Sequence, residues 1–198
     1  MKTKRNRQPR PYAVVVTGTP GTGKTVISKS LACQLHANYL PLTKLVIARR
    51  FYAGVDQERR TKVVDLKRTR AWLRKSLHKG EEITIVDTHV PDAIPRELVG
   101  KVVVLRCHPS VLEARLRKKG WRVLKVRENV LAEILDSCYA FAASYHGADK
   151  IVELDTSRTS VSKAVNKCRA LLKKHPKGNH RVDWIATLDR RVLERYMP

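Results

Sequence analysis

Short runs of β-branched and apolar residues recur along the chain, and between them apolar positions return every three or four residues. Ala13 to Val16 is uniformly apolar, the pattern of a strand buried on both faces of a sheet. From Lys24 to His36, the residues Val26, Ile27, Leu31, Ala32 and Leu35 fall at helical spacing. A second short strand is predicted around Tyr39 to Leu42. Residues 43–80 read as helical and basic, with helices predicted over Lys44 to Tyr52 and Lys67 to Leu77 and a stop at Gly80. Ile83 to Val86 is the third strand and stops at Asp87. A loop spans Pro91 to Pro95, and Lys101 to Arg106 is the fourth strand. Pro109 to Lys119 predicts a helix ended by Gly120, and Val123 to Tyr145 one long helix closed by Gly147. Ile151 to Leu154 is the fifth strand and Val161 to His175 the last core helix. Strands alternating with helices imply an α/β fold with a five-stranded parallel sheet covered on both faces, a three-layer α/β/α arrangement. Residues 176–198 read as an appendage carrying a short amphipathic helix. Its Trp184, Ile185 and Leu188 need burial, either on the core or on another chain.

The length of 198 residues suits one domain with an appendage. The longest apolar runs fall far short of the ~20 residues that span a bilayer, and the basic start leads into only four apolar residues rather than a secretory signal. Cys33, Cys107, Cys138 and Cys168 are widely spaced with no CxxC pair, which argues against a zinc site or a disulfide framework. A cytoplasmic protein is expected, nuclear or nucleolar in a eukaryote, with no membrane partner.

Charge changes this picture. There are 41 Lys and Arg against 18 Asp and Glu, a formal net charge of +23. The excess is regional: +5 over residues 1–10, +9 over 41–80, +6 over 106–128 and +7 over 163–198, with the rest net negative. Solvated helix faces are one explanation, and an anionic partner such as nucleotide, RNA or a ribonucleoprotein is the other. Residues 1–11 read as a flexible basic arm.

The strongest chemical signal is Gly18-Thr19-Pro20-Gly21-Thr22-Gly23-Lys24-Thr25, which matches the P-loop pattern GxxxxGK[ST]. Glycines let consecutive N–H groups turn around an anion, and the loop opens a helix whose N-terminus adds positive potential. Lys24 supplies a point charge to the β- and γ-phosphates of ATP, and the Thr25 hydroxyl is placed to ligate Mg²⁺. The metal-side carboxylate is expected at the end of a neighbouring apolar strand, where Asp87 stands. His89 leaves the same edge two residues later and is a candidate for orienting the attacking group or water. Arg115 is the candidate for stabilising charge on the transferred phosphoryl group, and shares a helix face with Lys118 and Lys119. Arg49 or Arg50 is a candidate grip for an acceptor phosphate.

The chain resembles the family of adenylate kinase isoenzyme 6, also called the coilin-interacting nuclear ATPase, and its archaeal relatives. The matching residues are the loop Gly18 to Thr25, Val86-Asp87-Thr88-His89 and Leu105-Arg106-Cys107-His108-Pro109. They continue with Leu112 and Arg115-Leu116, Lys119-Gly120-Trp121, Lys125 with Glu128-Asn129-Val130, and Ala132-Glu133-Ile134. The resemblance implies a nucleoside monophosphate kinase core over residues 12–175, with a monophosphate-binding insertion at 43–80 and a lid at 114–124. Residues 1–11 and 176–198 lie outside it. It implies adenylate kinase activity, ATP + AMP to two ADP with Mg²⁺, together with ATP hydrolysis. It also implies work in small ribosomal subunit maturation, beside a small-subunit ribosomal protein of the platform or ribosomal RNA, as a monomer or as a heterodimer with that protein. By position, Gly21, Gly23, Lys24, Thr25, Val26 and Arg115 are implied to bind ATP, and Asp87 with His89 to serve hydrolysis. Three readings remain: a phosphotransferase, an ATP-driven assembly factor, and an RNA-binding protein with little or no kinase activity.

Overall fold

The computed structural model describes residues 13–56, 61–77, 82–173 and 181–197. The predicted arm at 1–11, the predicted stop at Gly80, the segment 176–180 and the predicted end of the last core helix at His175 lie outside the described residues.

Five strands, β1 (Ala13–Gly18), β2 (Asn38–Pro41), β5 (Thr84–Asp87), β6 (Val99–Arg106) and β7 (Ile151–Asp155), form one parallel sheet in the order β2-β5-β1-β6-β7. β1 lies at its centre, pairing Val16 with Asp87 on one side and with Val103 on the other. Val15 and Val16 are fully buried because both faces of the sheet are covered. The alternation of side chains sorts the core into two layers. Val14, Val16, Val103, Leu105, Val152 and Leu154 pack on α1 (Lys24–Gln34) and α7 (Val161–Lys173). Val15, Val86, Val102 and Val104 pack on α2 (Leu42–Ala48), α3 (Leu66–Leu77) and α6 (Ser137–His146). The result is the expected three-layer α/β architecture.

Three predicted elements differ from the observed ones. Between α2 and α3 the chain forms a hairpin, β3 (Tyr52–Asp56) with β4 (Thr61–Val64), so Lys44 to Tyr52 is not one helix. Strand-forming residues explain the change: Val55, Val63 and Val64 favour extended backbone, and Arg50 at φ 54° ends the preceding helix. Val123 to Tyr145 is two helices, α5 (Val123–Ile134) and α6, broken at Asp136, whose φ is also 54°. The appendage carries two short helices, α8 (Trp184–Thr187) and α9 (Arg190–Tyr196), capped by the carboxylates of Asp183 and Asp189. It folds on the core: Leu188, Val192 and Leu193 pack on Leu112 and Leu116 of α4 (Pro109–Lys118) and on Val126, Val130 and Ile134 of α5. Trp184 is buried too, edge-on to His108, whereas Ile185 is exposed.

Candidate active site

In the parallel sheet all strands end at one edge, so Gly18, Pro41, Asp87, Arg106 and Asp155 approach a common crevice. The β1–α1 loop turns there on glycines at positive φ, where a side chain would be strained. Gly18 has φ 141°, and a Cβ on it would sit 2.4 Å from the carbonyl oxygen of Leu105. Gly21 has φ 96°, and its Cβ would meet Leu112 of α4 at 2.8 Å. α1 then begins without a side-chain cap and with no acidic residue in its first turn, which leaves its N-terminal amides to an anion.

Lys24 reaches back across this loop, its Nζ donating to the carbonyls of Gly18 at 2.7 Å and Thr19 at 3.2 Å. Desolvation lowers its pKa from the usual 10.5 against the pull of nearby anionic groups, Asp87 among them. The Thr25 hydroxyl donates to Asp87 Oδ2 at 2.7 Å, and Tyr39 from β2 donates to the same oxygen at 3.1 Å. Burial, with the Asp87 charge beside it, pushes the Tyr39 phenol up to about 12. His89 meets the Thr43 hydroxyl through Nδ1 at 3.3 Å. The imidazole is open to solvent on one side, yet the protein atoms crowding its other side disfavour the charged form and Lys24 repels it, so its pKa lies below 6.5.

Lys24, Thr25, Asp87 and His89 therefore share one cavity of about 280 Å³, with Tyr39, Thr43 and Lys44. Gly21, Gly23, Val26 and Arg115 line a second cavity, of about 510 Å³, on the other side of the loop. Lys118 and Lys119 line it too, as do Thr156 and Thr159 from the β7–α7 connection. Arg115 is thus apart from Asp87 and His89: its guanidinium donates to the carbonyl of Thr156 at 2.8 Å and lies 3.5 Å from that of Gly21. A third, mostly apolar cavity of about 310 Å³ lies under the hairpin, between Val46, Ile47, Val64 and Val90, with Lys62 and His89 on its wall. Arg49 lines none of these three cavities; its guanidinium stacks on Trp72, 4.6 Å from the ring centroid. Arg50 lines none of them either.

Sequence reasoning passed over Tyr39, Thr43, Thr156 and Glu133. Thr43 and Thr156 follow from the rule that strand carboxyl ends line the crevice, since each stands just past such an end, whereas Tyr39 sits inside β2 and carries no such signal. Glu133, one residue before the end of α5, stands in the family match without an assigned role; its Oε2 accepts the hydroxyl of Thr19 inside the loop.

A family model described as "AAA domain" matches residues 14–136. The "Putative adenylate kinase" of Methanocaldococcus jannaschii is 31% identical over 171 residues, covering 86% of this chain and 92% of that protein. The protein of the same name from Saccharolobus islandicus is 35% identical over 182 residues, covering 91% and 92%. Among solved structures, a shikimate kinase from Bacteroides thetaiotaomicron superposes with a TM-score of 0.55 at 19% identity, over 82% of this chain and 98% of that one. The YorR protein of Bacillus subtilis gives 0.54 at 15% identity, over 86% and 99%. At these identities the structural matches speak for the fold alone.

Proposed function

The chain belongs to the family of these archaeal adenylate kinase-type P-loop proteins, and on that premise we propose that it transfers the γ-phosphoryl group of ATP to AMP, giving two ADP. The observation that carries the reading is the junction of the loop with the neighbouring strand: Thr25 and Asp87 in hydrogen-bond contact, with Lys24 and His89 in the same cavity. The base and ribose of ATP fit the 510 Å³ cavity, lined by Gly21, Gly23, Val26 and Arg115. The triphosphate then runs along the loop toward Lys24, and the acceptor approaches from the hairpin side, where Lys44 and Lys62 supply positive charge.

The donor set suits Mg²⁺. One hydroxyl and one carboxylate are hard oxygen ligands, and a small ion that keeps waters and takes phosphate oxygens needs few protein groups. Among the described residues no cluster of three or more His, Cys, Asp or Glu offers a competing metal site. Thr25 and Asp87 would hold the ion, which supplies charge neutralisation at the phosphates. The chain's own residues do the rest. Lys24 leaves the Gly18 and Thr19 carbonyls for the phosphates, the uncapped amides of α1 bind the β-phosphate, and neutral His89 orients the attacking oxygen. That oxygen bonds to the γ-phosphorus as the β–γ bridging bond breaks, and ADP leaves with the bridging oxygen. When water occupies the acceptor position, His89 orients it instead, which gives ATP hydrolysis as a second activity.

The surplus of basic residues favours a further partner. One nucleotide needs few cations, whereas the insertion and the lid flank alone carry net charges of +9 and +6. We read this as a surface for a small-subunit ribosomal protein or ribosomal RNA during subunit maturation in the cytoplasm, with ATP turnover changing affinity for that partner. Among the described residues no helix is long and apolar enough to cross a membrane.

The test compares ADP formation from ATP alone, from ATP with AMP, and from ATP with small-subunit RNA. Acceleration by AMP, and a loss of at least ~100-fold in Lys24→Ala, is expected. Acceleration by RNA alone would favour the assembly-factor reading. Full turnover by Lys24→Ala would overturn the site.

A further inference from the structure

Glu133 of α5 is 1% exposed and bonds on both oxygens. Oε2 accepts the Thr19 hydroxyl of the phosphate loop. Oε1 accepts the Arg106 Nε at 2.8 Å, the Cys107 amide at 3.1 Å and the Trp184 indole N–H at 3.1 Å. One carboxylate thus joins the loop to the C-terminal segment, 114 residues later in the chain than Thr19 on one side and 51 residues before Trp184 on the other.

The surroundings explain why that segment is needed. Three carboxylates, Glu133, Asp136 and Glu153, face a single buried arginine, Arg106, which pairs with all three. Burial opposes the charge on Arg106, and the carboxylates outweigh it and raise its pKa. Burial raises the pKa of Glu153 as well, which disfavours its charged form. A cluster with more anions than cations is costly in a desolvated site unless further donors reach it. Residues 181–184 provide them. Arg181 pairs with Asp136 at 2.8 Å, the Val182 amide donates to Glu153 at 3.2 Å, and Trp184 donates to Glu133. The Val182 carbonyl in turn accepts from Arg106 at 3.0 Å. At the far end of the chain of contacts, the Thr19 carbonyl takes both the Thr22 hydroxyl at 2.9 Å and the Lys24 ammonium at 3.2 Å. A shift of Thr19 therefore moves the groups that meet the phosphates.

We propose that residues 181–184 are a positioning strap for the phosphate loop, in which Trp184 holds the Glu133 carboxylate aimed at the Thr19 hydroxyl so that the loop is set for ATP. The proposal rests on the reading of the loop as the ATP site. Trp184 and Glu133 are positioning residues, since neither lines the cavities around the loop.

The test measures the dissociation constant of Mg·ATP by calorimetry on the full 198-residue chain. Trp184→Phe keeps the ring against His108 and deletes only the N–H donor; it is expected to weaken ATP binding by about ten-fold, the loss of one hydrogen bond to a buried charge. In a Thr19→Val background the same change is expected to cost almost nothing, because the strap no longer has a hydroxyl to place. Leu193→Ala trims the apolar packing of α9, outside residues 181–184, and is expected to lower the thermal midpoint while ATP affinity stays at the wild-type value. Equal cost of Trp184→Phe in both backgrounds, no cost in either, or an equal loss of affinity in Leu193→Ala would overturn the strap. A wild-type chain with no ATP affinity would overturn the reading of the loop and the strap together. Binding without phosphotransfer would sink the kinase reading alone.

Discussion

Asp87 receives two hydroxyl hydrogen bonds on one oxygen, from Thr25 at 2.7 Å and from Tyr39 at 3.1 Å. Its position after an apolar strand made it a candidate from the sequence, and the Thr25 contact shows why the strand must neighbour β1. Tyr39 was not legible, because its role depends on β2 lying beside β5, with Tyr39 opposite Ile85. With its phenol held up to about 12, Tyr39 remains a donor to Asp87 at every pH at which the protein would be assayed. His89 behaves oppositely. Its pKa lies below 6.5, so the imidazole is neutral at pH 7 and becomes charged only as the pH drops further. Turnover that depends on neutral His89 is expected to decline as the pH falls, with a midpoint below 6.5. A pH–rate profile checks this, and His89→Gln should lack that acid limb. A midpoint above 6.5, or an unchanged limb in the variant, would remove His89 from the mechanism.

Elements follow local sequence where a glycine or a charge pattern marks their ends, and depart from it where backbone strain does. α1 shows the second case. His36 follows its last turn at φ 49°, with the Ala37 amide bonded to the Ala32 carbonyl at 2.9 Å, a closing turn that glycine makes at least cost. His36 is exposed, so His36→Gly is expected to raise stability by roughly 0.5–1 kcal/mol, the left-handed penalty less the greater chain entropy of glycine. Urea unfolding at neutral pH would measure it, and a loss of stability would show that the histidine has a role of its own. The same strain at Arg50 and Asp136 accounts for two wrong boundaries. Hydrophobic spacing runs on across Asp136, but its carboxylate is drawn to Arg106 and Arg181, and the helix breaks there. No local signal records a pairing with residues 30 and 45 positions away.

At the scale of the molecule, charge is distributed by region and some of it is held on aromatic rings. Between residues 49 and 72, Arg49 lies over Trp72, Arg68 over Phe51 and Lys62 over Tyr52, at 4.6, 5.1 and 4.3 Å. Such pairs keep cations ordered at the surface. If they meet RNA, affinity is expected to fall by roughly 10³ or more between 50 and 200 mM salt for six or more phosphate contacts. Filter binding with a small-subunit RNA fragment measures this, and salt-insensitive binding would return the charge to solubility alone. The sequence by itself determined the α/β class, the five strands and the phosphate loop, because each rests on near neighbours: apolar runs, glycine spacing, and a lysine and threonine at the start of a helix. Only the tertiary structure decided which strands adjoin, that the cavity with Arg115 is separate from the cavity of Lys24, Asp87 and His89, and that the C-terminal segment seats on the core. The physical reason is the same in each case. Strand order, cavity walls and the sharing of one buried arginine among three carboxylates depend on residues far apart in sequence, whose cost or gain exists only once water has been excluded from between them.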